Sequence, residues 1–151
     1  MFSDCSGPEG AILSAGSAPQ AEPSTERTWD MAGLQVGDFD SPDETRSPDK
    51  TMVDVVRMGD AATAARLTLQ PGWRWSECIK PVVGTDSCQV RHVGFLQSGQ
   101  MHVTHDDGSE DEIGPGKAYV IEPGHDAWVV GDQPVVAYEF ESKSAEEYAR
   151  G

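Results

Sequence analysis

The sequence predicts an all-β domain, and three features carry that expectation. From Thr51 onward, short runs of β-branched, aromatic and other apolar residues alternate with turn clusters at the spacing of sandwiches and barrels. Tight connections such as Asp107-Gly108 and Gly131 to Pro134 separate several of these runs, as hairpins require. The 16 glycines and 10 prolines among 151 residues favour many short elements over long helices, at a length that suits one domain.

Taken in order, "TMVDVVRM" from Thr51 reads as the first strand and "AARLTLQ" as the second, stopped by Pro71 and Gly72. "SCQVRHVGFLQ" leads to Ser98 and Gly99, and "QMHVTH" runs into the turn "DDGSE". "IGPGKAYVIEPG" and "AWVVGDQPVVAYEF" complete a set of roughly eight strands, enough for a small closed or double-sheet barrel. The barrel is expected over residues 49–143.

Residues 1–48 hold half of the prolines, and their only branched aliphatics are Ile12, Leu13, Leu34 and Val36. So little apolar surface cannot offset the entropy of ordering the chain, and disorder is expected for residues 1–27. The stretch "WDMAGLQVGDF" makes residues 28–48 a segment that packs on the barrel or on a second subunit. At the other end, Ser144 followed by Glu147 matches a capping box, so residues 144–151 read as a short helix or a frayed tail.

A formal charge of −15 opposes any surface that must neutralise phosphates, so neither nucleic acid nor an anionic membrane is an expected partner. No apolar run approaches the roughly 20 residues of a membrane span, and "MFSDCSGPEG" lacks the features of a secretory signal. A soluble, cytoplasmic protein is the expectation. Cys5, Cys78 and Cys88 make a poor disulfide framework, and Cys78 and Cys88 are read as thiols. The sequence contains no P-loop, dinucleotide-binding glycine pattern or G-x-S-x-G elbow, so no nucleotide cofactor is expected. The acidic tract "DDGSEDE" lacks the ligand spacing of a calcium loop and reads as a solvated hairpin, with His102 and His105 solvated beside it.

The remaining histidines are the candidates for chemistry. The two-residue period of a strand places Cys88, Val90 and His92 on one face; His125 and Ala127 share another, with Asp126 and Trp128 opposite. His92 and His125 thus converge inside a barrel, where two imidazoles titrating near neutrality serve as acid and base. On a regular strand Cys88 and His92 stand on the order of 13 Å apart at Cα, so a common metal ion would require a bend between them. Trp73 and Trp75, two residues apart in "PGWRWSECIKP", either wall a ligand pocket or close the core. Lys80 either counters an acidic substrate or is an ordinary surface lysine.

Residues 41–141 resemble a group of small bacterial single-domain cupins, the conserved-barrel cupins. The resemblance rests on "PGWRWSE" and "GTDSC", within "QPGWRWSECIKPVVGTDSCQVRH", and on "GHDAWVVGD", within "DDGSEDEIGPGKAYVIEPGHDAWVVGDQP". It implies a jelly-roll barrel, or double-stranded β-helix, a homodimer, and a small-molecule pocket in the barrel mouth. Many cupins hold one divalent metal through paired His and a Glu in a first motif and a His in a second. Aligned on its closing glycine, Gly99, the first motif puts Asp86 and Cys88 at the paired-His positions and His92 at the Glu; in the second, the His position falls at Ala127, two residues after His125. The standard set is therefore absent, and Cys88, His92 and His125 form a displaced one with Asp86 nearby. Thiolate with imidazole suits zinc better than ferrous iron. The expectation is a metal-dependent enzyme acting on a small organic substrate by isomerase, lyase or hydrolytic chemistry. His92 and His125 are its catalytic residues, and Trp73, Trp75, Lys80 and Asp126 line its pocket. The alternatives are a ligand-binding or sensing cupin and a structural dimerisation domain.

Overall fold

A computed structural model describes residues 33–59 and 62–140. These contain β1 (Glu44–Arg46), β2 (Thr51–Met58), β3 (Ala62–Leu69), the helical turns α1 (Trp75–Cys78) and α2 (Lys80–Val83), β4 (His92–Ser98), β5 (Met101–His105), β6 (Glu110–Ile113), β7 (Ala118–Ile121), β8 (His125–Val129) and β9 (Val135–Phe140). A six-stranded sheet has the order β1-β2-β3-β9-β4-β7, and a three-stranded sheet the order β6-β5-β8. All pairings are antiparallel. The result is a two-sheet jelly roll, as the alternation of strands and turns predicts.

Side-chain parity decides which residues meet between the sheets. In β9, Val135, Ala137 and Glu139 are buried while Val136 and Tyr138 are only partly covered; in β8 the buried residues are His125, Ala127 and Val129. Val53, Val55, Leu67, Leu69 and Leu96 from the large sheet face Met101, Val103, Ile113 and Val129 from the small one within one continuous core. Each such side chain contributes about 1.5–3 kcal/mol by leaving water, which is what holds the sheets together. The polar residues His92, His125 and Glu139 are buried in this interior.

Three elements add detail to the sequence expectation. β6 forms the second arm of the solvated hairpin read in the acidic tract: Glu110, Asp111 and Glu112 point their charges to solvent while Ile113 anchors the strand. β1 lies in the segment before the expected barrel start and pairs with β2 through Glu44, Thr45 and Arg46. The stretch containing Trp75, to which the sequence assigns no element, forms the helical turn α1. Asp126 on β8 accepts the Ser76 N–H at 3.1 Å, satisfying a donor at the start of α1, and α2 carries Pro81 in its first turn. Gly84 ends α2 at φ +77°, its N–H donating to the Lys80 carbonyl at 2.8 Å. Residues 1–27 and 144–151, the expected tail and terminal helix, lie outside the described residues.

Candidate metal centre

The site begins with a backbone pairing. Cys88 forms an isolated antiparallel bridge with His125 at the entrance to β8: its N–H donates to the His125 carbonyl at 2.8 Å, and its carbonyl accepts the Gly124 N–H at 2.7 Å. Four residues later His92 opens β4, in register with Ile121 of β7. Residues 89–91 therefore carry the chain from the small sheet to the large one. That crossing is the bend a shared site requires, and it allows both Cys88 and His92 to project inward from opposite walls.

The three donors do converge. Cys88 Sγ lies 3.5 Å from His92 Nε2, and one donor atom from each of Cys88, His92 and His125 falls within 4.8 Å of the others. The imidazole centroids are 5.1 Å apart at an interplanar angle of 73°. Cys88, His92 and His125 are 1%, 5% and 3% exposed, so the cluster belongs to the interior.

The second nitrogen of each imidazole is already engaged. His125 Nδ1 sits 2.7 Å from the Glu122 carbonyl, which can only accept, so Nδ1 carries a hydrogen and Nε2 is the ring nitrogen left to act as a metal ligand. His92 Nδ1 donates to Glu139 Oε2 at 3.0 Å, and Tyr119 Oη donates to Glu139 Oε1 at 3.0 Å. The Tyr119–Glu139–His92 relay is the outer arrangement that orients metal-ligating histidines. Burial pushes the Cys88 thiol up, but hydrogen bonds with His125 and His92 outweigh it and hold the group at about 7. Burial acts on His92 in the opposite sense, and the charge of Glu139 together with the Cys88 contact raises it to about 10.

One separation in the donor set matches that of a tetrahedral ion. With Zn–S near 2.3 Å and Zn–N near 2.0–2.1 Å, ligand atoms around one zinc stand about 3.6 Å apart for S and N, close to the Cys88–His92 separation. Three protein donors leave a fourth position. Beside them lies a cavity of about 30 Å³ whose walls include Trp73, Trp75, His92, Ile121, His125 and Glu139. Trp73 is 4% exposed, and its indole Nε1 finds no acceptor among the described residues.

The other expected site residues fall in different places. Trp73 and Trp75 both reach the cavity wall, although Trp75 does so from a helical turn. Asp126 points the other way, accepting from Arg74 Nε at 2.9 Å and from the Ser76 hydroxyl at 2.9 Å, outside the cavity lining. Lys80 is also outside that lining, its ammonium 3.2 Å from the Asp86 carbonyl. His102 and His105 are less solvated than expected: His102 stacks on Trp128 with centroids 4.4 Å apart, and His105 Nε2 contacts the Pro123 carbonyl at 2.8 Å. Cys78 and Cys88 are both free, buried thiols. Sequence reasoning missed Glu139 and Tyr119. The signal was available for Glu139, which occupies the inward parity of "VVAYEF" where an apolar residue is expected.

No family model matches the sequence, and no curated protein does either. Among solved structures the chain is similar to the Lactobacillus farciminis oxalate decarboxylase in its formate complex, at 15% identity and a TM-score of 0.51 over 73% of this chain and 32% of that one. The chain thus spans about a third of the length of that enzyme. It is also similar to the cupin domain of Schizosaccharomyces pombe Cnp3, at 14% identity and a TM-score of 0.47 over 72% of this chain and 74% of that one. KdgF from Halomonas sp. matches at 17% identity and a TM-score of 0.46 over 64% of this chain and 85% of that one. The class defined here is one of architecture: an antiparallel double-stranded β-helix. The chain has the cupin fold, in a single small barrel, as the sequence resemblance implies. Among the described residues no helix is long and apolar enough to cross a membrane.

Proposed function

We propose that the protein is a small-molecule cupin that binds one divalent metal ion, zinc in preference to iron, through Cys88, His92 and His125. The observation that carries this reading is the convergence of the three donors within 4.8 Å while the outward nitrogens of both imidazoles are held by Glu139 and the Glu122 carbonyl. A bound zinc ion would supply a Lewis acid with one coordination position open to a small ligand. The chain's own groups do the rest. Glu139 keeps the His92 hydrogen on Nδ1, the Glu122 carbonyl does the same for His125, and the apolar wall of Trp73, Trp75 and Ile121 excludes bulk water. Polarising a small organic substrate in such a site supports hydrolytic or lyase chemistry, and the oxalate decarboxylase with the same fold is an enzyme that acts on a small carboxylate.

The narrow cavity favours a second reading, in which the cluster binds metal or ligand without turnover. Metal analysis of protein purified without chelator tests the first step. One equivalent of zinc per chain, lost in Cys88→Ala, is the expected result, and a metal-free protein that takes up neither zinc nor cobalt would overturn it. Turnover of small esters, carboxylates or hydroxy acids by the zinc-loaded chain then separates enzyme from binding protein.

A further inference from the structure

The two sheets end in edge strands that face each other: β6 closes the small sheet and β7 the large one, and among the described residues no strand pairs with the outer side of either. Between them lies a groove of about 710 Å³. Its floor is the margin of the core, where Val103, Ile113, Tyr119 and Ile121 keep 8–9% exposure while Val53, Val55, Leu96 and Val135 keep none. The Leu96 N–H donates to the Lys117 carbonyl at 3.0 Å, so by antiparallel alternation Tyr119 and Ile121 bond to β4, and Ala118 and Val120 turn their N–H and C=O groups to the groove. β7 also lacks the charges that usually protect an edge: its residues are Ala, Tyr, Val and Ile, and Val120 is 57% exposed.

We infer that the β7 edge takes an additional strand from a basic peptide segment of another protein, with the carboxylates across the groove recognising its Lys or Arg side chains. The edge supplies the pairing, and the surrounding charge selects the partner. Asp107, Glu110, Asp111, Glu112 and Glu122 line the groove. Lys117 is the one lysine or arginine of the lining, and its ammonium lies 3.4 Å from the Glu112 carbonyl. The same charges disfavour other occupants. Residues 1–32 carry five carboxylates against one arginine, residues 141–151 three carboxylates against two basic side chains, and a second copy brings a net charge of −15. None of these complements an acidic groove, whereas a cationic segment is drawn to it by the field of the whole chain. Because Ala118 and Val120 alone present backbone groups from β7, the paired stretch is short, about three to five residues. Pairing at β7 requires no metal ion.

The probe is a capped peptide of alternating lysine and valine, about seven residues long to span the edge with a margin, added to the full chain. Two controls accompany it: the same peptide methylated at every backbone nitrogen, which keeps the charge and loses the donors, and its glutamate–valine counterpart. The lysine–valine peptide is expected to move the backbone amide resonances of Ala118 and Val120 more than those of β2, across the large sheet, and to bind at least tenfold more tightly than either control. Val120→Pro should keep the fold, since an edge strand tolerates proline where its N–H faces outward, and should lower the affinity about tenfold. Glu110→Gln with Glu112→Gln should lower it by a similar factor and flatten its dependence on salt. Equal affinity for the methylated peptide would mean that charge alone holds the ligand, and would overturn strand addition. No binding of the lysine–valine peptide at millimolar concentration, or Ala118 and Val120 resonances that stay still at saturation, would overturn it as well. Resonances that shift with protein concentration alone would give the edge to a second copy and overturn the basic partner. The resonance shifts are read on the wild type, so a folding defect in Val120→Pro does not blunt the test.

Discussion

His92 Nδ1 and Glu139 Oε2 lie 3.0 Å apart between the two sheets, each side chain more than nine-tenths buried. A carboxylate there is costly unless hydrogen-bonded, and Tyr119 and His92 supply its partners. The relationship fixes which His92 nitrogen faces Cys88. Glu139→Gln retains the shape but offers His92 either an amide oxygen or an amide NH₂, which weakens the control of its tautomer. Zinc affinity, measured by competition with a chromophoric chelator, should fall about 10–100-fold, the range for such supporting partners. Tyr119→Phe should lose less, because the His92 contact survives. Equal affinity in wild type and Glu139→Gln would remove Glu139 from the site.

The Cys88–His125 bridge predicts a different response. Because the two residues hold each other's position through backbone groups, Cys88→Ala deletes a donor without disturbing the strand entrance. The variant should keep its fold, with a far-ultraviolet circular dichroism spectrum like that of the wild type. Its zinc affinity should drop by more than the supporting-residue range of about 100-fold, since a direct bond is lost. If zinc stoichiometry in Cys88→Ala stays at one with undiminished affinity, the ion sits elsewhere.

Proton release gives the pH dependence its sign. Metal ligands bind deprotonated, so each bound ion must expel whatever protons the ligands carry. In the metal-free chain Cys88 titrates at about 7 and His92 at about 10. Below pH 7 both residues therefore give up a proton on binding, and between 7 and 10 only His92 does. Zinc affinity corrected for the competitor should rise with pH throughout, with these two residues contributing a slope near two below 7 and near one above it. Calorimetry in buffers of different ionisation enthalpy reads the released protons directly. A direct check is the 240 nm thiolate absorbance of a metal-free Cys5→Ser, Cys78→Ser chain, which should rise around pH 7. His92→Ala should move that midpoint upward, because burial then acts on the thiol with one favourable partner fewer.

How much of the site is legible in the sequence depends on how local each cause is. Strand parity placed His125 and Ala127 on one face and Asp126 and Trp128 on the other, and both pairs lie as the two-residue period requires. The convergence of Cys88 with His92 was not legible from spacing, because it depends on residues 89–91 crossing between sheets, which the bridge to His125 determines. The turn at Trp75 was hidden for a similar reason: the acceptor for the Ser76 N–H is Asp126, 50 residues away. Glu139 broke the apolar pattern of its strand visibly, yet only the fold shows which histidine needs it.

A last prediction concerns stability away from the site. Asp54 on β2 is 4% exposed and opposes Arg66 of β3 in register; its Oδ2 accepts from the guanidinium at 2.8 and 3.2 Å, and its Oδ1 from the Thr45 hydroxyl at 2.7 Å. Arg66 also donates to the Phe39 carbonyl at 2.9 Å and lies 5.6 Å from the centre of the Phe39 ring, so the pair ties the segment before β1 to the outer face of the large sheet. Breaking a fully buried ion pair costs about 3–5 kcal/mol, and the Arg66 side chain is 24% exposed, which lets water repay part of that. Asp54→Ala should accordingly lose about 2–3 kcal/mol in urea unfolding. Arg66→Met in the same chain should restore some of the loss, since it removes the charge left without its partner. A loss under about 0.5 kcal/mol would mean that the pair behaves as a solvated surface contact.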